Sequence, residues 1–492
     1  MTEPCDLGAT EARRLIGARQ LSPVELVESC IARIEAVDHA VNAVVARDFD
    51  RARATARAAE AAVKRGDALG ALHGLPVVIK DLEETAGLRT TFGSPLFADN
   101  VPAADERTVA SLRAAGAIIL GKSNTPEFGA GANTRNAVYG ATGNPFDPRL
   151  SCAGSSGGSA VALATGMVPL ASGTDMGGSL RNPAAFCGIV GFRPTAGLVP
   201  SERRGLGWSP LSTGGPMARS VADLALMLSA MVADDARDPL ATTVHGKQVR
   251  RAKDFTPLPP VDLSRLRVAF TPDFGFAPTE RLIRETFAAR TAPLRGLVGR
   301  AADTTPDCTG ADEAFGVARG VAFLAAHEEK SRLHPDQVGP NVRANVEEAL
   351  AYSALDVARA EVAHTALYRR WVEFFTDFDL IISPAMTITP RPWRELYPTQ
   401  IDGVPTKTYF HWLALPYAVT LAGTPAVCLP AGVDSVGMPF GLQIVGPRGG
   451  DAFVLAAAAA LEAVLPARPV PDIAKLRAAP PISAMEGFLG FA

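Results

Sequence analysis

The strongest constraint on this chain is a set of short apolar runs that do not alternate. Residues 76–80, 117–120, 168–172, 266–270, 380–383, 426–429 and 441–445 are dense in Val, Ile, Leu and Ala. A strand with one wet face alternates apolar and polar residues, so these runs predict strands covered on both faces. Helical stretches lie between them, expected at 108–115, 158–165, 220–232, 281–294, 342–375 and 452–464. Ser22-Pro23-Val24-Glu25 is a capping box with proline at the first helical position, and it opens a helix to about Val37. A second helix is expected over 49–64. Strands alternating with helices give an α/β layered fold on a largely parallel or mixed sheet. Residues 1–66 form an N-terminal helical segment, and no internal repeat is visible. The polar, proline-bearing stretch 238–260 is expected to join two parts of one fold.

Composition narrows the function classes. The 492 residues are 47% hydrophobic and 20% charged, with a net charge of −3. That charge leaves no footprint for nucleic acid or an anionic membrane. No apolar run reaches about 18 residues, and the start lacks the basic, then apolar, pattern of a signal peptide. The cysteines, Cys5, Cys30, Cys152, Cys187, Cys308 and Cys428, form no C-x-x-C pair. No zinc site is therefore expected, and a reduced, cytoplasmic setting is.

Three residues stand where chemistry is feasible. Ala153-Gly154-Ser155-Ser156-Gly157-Gly158-Ser159 and Gly173-Thr174-Asp175-Met176-Gly177-Gly178-Ser179-Leu180-Arg181 each put a hydroxyl beside glycine backbone. A carbonyl can approach main-chain N–H groups closely at such places. Lys80 ends the apolar run 76–80, where loss of solvation lowers an amine's pKa toward the range of a general base. The competing motifs fail on context. Gly116-Ala117-Ile118-Ile119-Leu120-Gly121-Lys122-Ser123 fits the phosphate-binding P-loop letter for letter, but its middle is a buried strand rather than a solvated loop. Gly154-Ser155-Ser156-Gly157-Gly158 contains the G-x-S-x-G of a nucleophile elbow, yet a loop precedes it where a strand is required.

Taken in order, Gly74-Leu75-Pro76-Val77-Val78-Ile79-Lys80-Asp81, Gly121-Lys122-Ser123-Asn124-Thr125-Pro126-Glu127-Phe128, the two glycine-serine segments, Pro183-Ala184-Ala185-Phe186-Cys187-Gly188 and Gly215-Pro216-Met217-Ala218-Arg219 resemble the amidase signature family of serine hydrolases. Ala422-Gly423-Thr424-Pro425-Ala426 and Pro439-Phe440-Gly441-Leu442-Gln443 extend the likeness, which covers roughly residues 8–465. The resemblance implies a single α/β/α domain over 1–492 with a large central mixed sheet. It implies a Ser–cis-Ser–Lys triad with Ser179 as nucleophile, Ser155 as bridging serine and Lys80 as base, separated by 75 and 24 residues. A cis peptide before Ser155 belongs to the same implication. The backbone N–H groups of Met176, Gly177, Gly178 and Ser179 are expected to form the oxyanion hole, with Ser156, Asp175 and Arg181 in support. Neither a metal nor an organic cofactor is implied. Ala153, Met176 and Ser123 depart from the commoner family residues, and of these Met176 bears on substrate preference.

The substrate is read more coarsely. Residues 393–417 hold Trp393, Tyr397, Tyr409, Phe410, Trp412 and Tyr417. They either pack the core or wall a pocket. On the second reading the segment 300–420, largely helical with an aromatic loop, contributes Trp393, Tyr409 and Trp412 to the pocket beside Phe128 and Met176. A bulky, apolar or aryl amide is then expected, with aryl esters and carbamates (urethanes) open to the same machinery. The partner is a small-molecule amide or carbamate, without nucleic acid or membrane, and the chain acts as monomer or homodimer. Two alternatives stay open: the glutaminase subunit of a tRNA-dependent amidotransferase, and a non-catalytic binding scaffold.

Overall fold

The computed structural model describes residues 3–241, 243–244, 247–248 and 250–489, so the 238–260 connection lies partly outside the described residues. Eleven strands form one sheet: β1 (Val44–Arg47), β2 (Pro76–Lys80), β3 (Ile118–Ser123), β4 (Leu170–Asp175), β5 (Val190–Arg193), β6 (Thr213–Ala218), β7 (Arg267–Phe270), β8 (Arg300–Asp303), β9 (Leu380–Pro384), β10 (Ala426–Val433) and β11 (Pro439–Val445). Their order is β1-β3-β2-β4-β6-β5-β10-β11-β9-β7-β8. β2 lies parallel to both β3 and β4, and β7 to both β8 and β9. The remaining neighbours are antiparallel. The sheet is therefore mixed, and the fold is α/β.

All seven apolar runs became strands of this sheet, and β2 is buried at every position. Four strands escaped the pattern. β6 reads Thr-Gly-Gly-Pro-Met-Ala, which carries no strand propensity. Pairing with β4 and β5 makes it one, and a Cβ at Gly215 would collide with Phe192 O of β5. β1 and β8 are four-residue edges, and β5 reads only Val-Gly-Phe-Arg. The long helix expected over 342–375 is two helices, Pro340–Leu350 and Ala354–Asp377. Ser353 breaks it by accepting the Asp356 N–H in a new capping box. The capping box at Ser22 starts Pro23–Val41 as expected.

β4 sets the position of the site. It runs three residues past its expected end, pairing Thr174 with Gly214 and Asp175 with Thr213. Its last residues therefore stand beside the end of β2. Helix Gly157–Ala164 follows Ser155, and helix Arg181–Cys187 follows Ser179. One buried apolar cluster extends from Cys5 to Leu476 and includes strands from both ends of the sheet.

Candidate active site

Lys80 is the last residue of β2, between β3 and β4 in the sheet, and it is fully buried. Burial lowers its amine pKa to about 7, although the charges of Glu83 and Asp175 pull it upward. Its Nζ is hydrogen-bonded to Ser155 Oγ at 2.7 Å and donates to Thr174 Oγ1 at 2.8 Å. Thr174 sits inside a motif the sequence exposes, but nothing in the sequence marks it as the lysine's second partner. Behind the lysine, Ser172 Oγ accepts the Lys80 N–H at 3.0 Å and is itself bonded to the buried Glu83 carboxylate. Lys122 Nζ donates to Glu83 O and, at 2.9 Å, to Thr85 Oγ1. The P-loop-like lysine is thus a buried tether for the segment after β2, on a strand, as its sequence context predicts.

The peptide between Gly154 and Ser155 is cis. Ser155 and Ser179 are both nearly buried. Their loops are joined by the Ser156 N–H, which donates to Ser179 O at 3.2 Å. Ser156 Oγ meets the main chain of Thr174 on both its N–H and its C=O, each at 3.4 Å, and so braces the end of β4 against the Ser155 loop. Among the described residues no hydrogen bond joins the Ser155 and Ser179 hydroxyls.

The loop 176–180, which carries Ser179, is shaped by Asp175. Its carboxylate accepts the Gly178 N–H at 3.0 Å and the Leu180 N–H at 3.2 Å. Arg181 meets the same carboxylate through Nε at 3.0 Å and Nη2 at 2.9 Å, and Arg193 through Nη1 at 3.1 Å. Burial alone would raise the Asp175 pKa, but Arg181 and Arg193 hold it well below the usual carboxylate range. Arg193 carries no sequence signal. It reaches the loop because β5 lies in the same sheet. Gly178 has φ +99°, and a Cβ there would collide with Asn182 Oδ1 and Pro416 Cβ. Of the four N–H groups expected to form an oxyanion hole, that of Gly178 is engaged by Asp175. Among the described residues the N–H groups of Met176, Gly177 and Ser179 have no protein acceptor.

The aromatic residues divide. Phe128 lies in the loop that passes Ser155, where a Cβ on Gly129 would stand 3.4 Å from Ser155 Oγ. Its ring packs against His327 at a tilt of 33°, with centroids 4.5 Å apart. Burial lowers the His327 pKa to about 3, with help from Lys330 and Arg319, so the imidazole is neutral at neutral pH. Tyr409 bonds Arg319, which also touches Met176 Sδ at 3.7 Å. Trp393 does not join this wall. It packs with Ala141 and Ile482 in a separate cluster and donates through Nε1 to Pro148 O at 3.0 Å. Trp412 is a core residue whose Nε1 holds Tyr409 O at 2.9 Å. For these two tryptophans core packing wins, because each indole buries its ring and satisfies its N–H on main chain. A cavity of about 400 Å³ beside Leu206, Trp208, Val317 and His364 contains none of Lys80, Ser155 and Ser179. All six cysteines are free and buried, and no helix among the described residues is long and apolar enough to cross a membrane.

Comparison with known proteins identifies the family. The profile of the Amidase family matches residues 25–455. An acylamidase of Rhodococcus erythropolis is 35% identical over 469 residues, covering 94% of this chain and 96% of that protein. A glutamyl-tRNA(Gln) amidotransferase subunit of Chloroflexus aurantiacus is 34% identical over 472 residues, covering 91% and 94%. The crystal structure of a bacterial aryl acylamidase of the amidase signature family superposes with a TM-score of 0.87 at 27% identity, covering 96% of this chain and 98% of that one. The chain belongs to the amidase family, the amidase signature enzymes, and is a hydrolase acting on amide bonds.

Proposed function

We propose that this chain cleaves small carboxamides, arylamides among them, through a covalent serine acyl-enzyme. One observation carries the reading: a fully buried amine of pKa about 7 lies 2.7 Å from the Ser155 hydroxyl. An ordinary lysine, with a pKa of about 10.4, is charged at neutral pH and accepts no proton. Lys80 is neutral in a large fraction of molecules there, and so is competent as a base.

The steps follow from the placement of the groups. Lys80 takes the Ser155 proton as Ser155 takes that of Ser179, and Ser179 Oγ bonds to the carbonyl carbon. The carbonyl oxygen gains negative charge and is received by the N–H groups of Met176, Gly177 and Ser179. Removing one such donor typically costs about 2.7–4 kcal/mol in the barrier. The C–N bond then breaks as the proton held by Lys80 passes through Ser155 to the leaving amine. Water, deprotonated by the same relay, attacks the ester carbon and releases the acid. Asp175, Arg181 and Arg193 fix the loop that presents these donors, and Ser156 holds the two loops together.

The acylamidase and aryl acylamidase likenesses support an arylamide substrate, as does the tilted aromatic contact of Phe128 with His327. Aryl esters and carbamates present the same acyl carbon and fall under the same reading. The likeness to amidotransferase subunits supports a second reading, glutamine hydrolysis in a complex. A glutaminase assay with and without partner subunits separates the two. The serine mechanism is tested by incubating the chain with a fluorophosphonate probe and locating the adduct by mass spectrometry. Labelling of Ser179, lost together with p-nitroanilide turnover in Ser179→Ala, is expected. Turnover by a folded chain that carries no adduct at Ser179 would sink it.

A further inference from the structure

Arg319, on the helix Ala311–Leu333, is 5% exposed. Arginines buried to a similar degree elsewhere in the chain have oxygen partners: Arg181 and Arg193 share Asp175, and Arg219 donates to three main-chain carbonyls. Arg319 has no carboxylate or carbonyl partner among the described residues. Among the described residues its Nε and Nη2 meet only the Tyr409 hydroxyl, and its Nη1 meets only Met176 Sδ. Of its five N–H groups, one on each Nη is left over. The ring faces of Phe323, Tyr409 and Phe410, at 4.4, 5.5 and 5.6 Å, offset part of the burial of its charge but accept no further hydrogen bond. The Tyr409 hydroxyl already accepts from Arg319 and from Asn345 Nδ2 at 2.6 Å, so its own proton is also unplaced.

This cluster borders the reaction centre on two sides. Met176 belongs to the nucleophile loop, and Phe315, one turn before Arg319, lies 3.2 Å from where a Gly177 Cβ would be. On the other side the Tyr409 ring lies 4.0 Å from a Cβ built on Gly131, two residues beyond the Gly129 that borders Ser155. A buried cation with an unused fork of N–H groups, beside a hydroxyl donor, matches the geometry of a carboxylate.

We infer that Arg319 and Tyr409 bind a carboxylate carried by the substrate away from the scissile amide, so that the preferred amides are anionic. This rests on the amide-hydrolase reading above. It narrows the bulky apolar substrate expected from sequence to one with an apolar body and an acidic end.

The test compares kcat/KM for two matched pairs. The first is N-(4-nitrophenyl)succinamate against N-(4-nitrophenyl)butanamide, which places the carboxylate on the acyl side. The second is 4-acetamidobenzoate against acetanilide, which places it on the amine side. The wild-type chain is expected to prefer the acidic member of one pair by at least tenfold, and the pair that responds identifies the side. Arg319→Met is expected to lower that preferred rate by about a hundredfold while leaving its neutral partner within threefold, and Arg319→Lys to recover part of the loss. The wild-type comparison needs no variant to fold. Turnover of the neutral amides without preference for either acid overturns the role of Arg319 alone. Equal loss on both members of a pair in Arg319→Met overturns it as well, in favour of a structural role. No turnover of any amide overturns this inference and the hydrolase reading together.

Discussion

Lys80 Nζ and Ser155 Oγ lie 2.7 Å apart at the buried end of β2, across 75 residues of sequence. Burial brings that amine to a pKa of about 7. With neutral Lys80 as the proposed base, kcat/KM should fall about tenfold per pH unit below the pKa and level off above it. The acid limb is expected to have its midpoint near pH 7. A profile that stays flat from about pH 6 to 9 would contradict Lys80 as the base.

On the proposed mechanism, Lys80→Ala removes both the proton acceptor for attack and the proton donor for the leaving group. An amine must be protonated to leave, whereas an aryl oxide need not be. The variant should therefore lose about 10²–10⁴-fold on an anilide and distinctly less on the matched aryl ester. Equal residual rates on the two would count against this assignment.

Glu83 faces the same lysine through Ser172 and raises its pKa electrostatically. Glu83→Gln removes that charge and makes the ammonium form of Lys80 less favourable. The acid limb of the pH–rate profile should consequently move to lower pH. A limb that stays in place or moves up would show that Glu83 holds no charge over that range.

Asp175 is shared by Arg181 and Arg193, all three fully or almost fully buried. Removing the shared carboxylate leaves two buried guanidinium charges uncompensated, at a cost of about 3–5 kcal/mol. Asp175→Asn should lower stability to denaturant by that order. It should also lower kcat, because the Gly178 and Leu180 N–H groups lean on Asp175. Unchanged unfolding midpoints would refute the structural part of this account.

Trp393 and Phe128 should behave oppositely. Trp393→Ala empties a packed site away from the triad and should cost about 3–5 kcal/mol of stability, with kcat/KM on anilides nearly unchanged. Phe128→Ala opens the wall beside Ser155 and should raise KM with little loss of stability. Steady-state kinetics alongside thermal melts of the two variants checks both.

The chain's own order of residues determined a good deal. Non-alternating apolar runs fixed seven strands of a sheet buried on both faces, because only such a sheet needs apolar residues at every position. The glycine-serine segments and Lys80 stand out in the sequence by residue type, and the fold brings Lys80 against Ser155. Proximity was decided by the tertiary structure. Thr174 became a partner of the lysine because β4 runs on to Asp175, and Arg193 reached the loop because β5 lies in the same sheet. Trp393 and Tyr409 look alike in sequence, 16 residues apart in one aromatic stretch. One fills a cluster with Ile482, and the other meets Arg319 beside Met176. Local pattern sets what a segment buries, but only long-range packing sets which neighbour it is buried against.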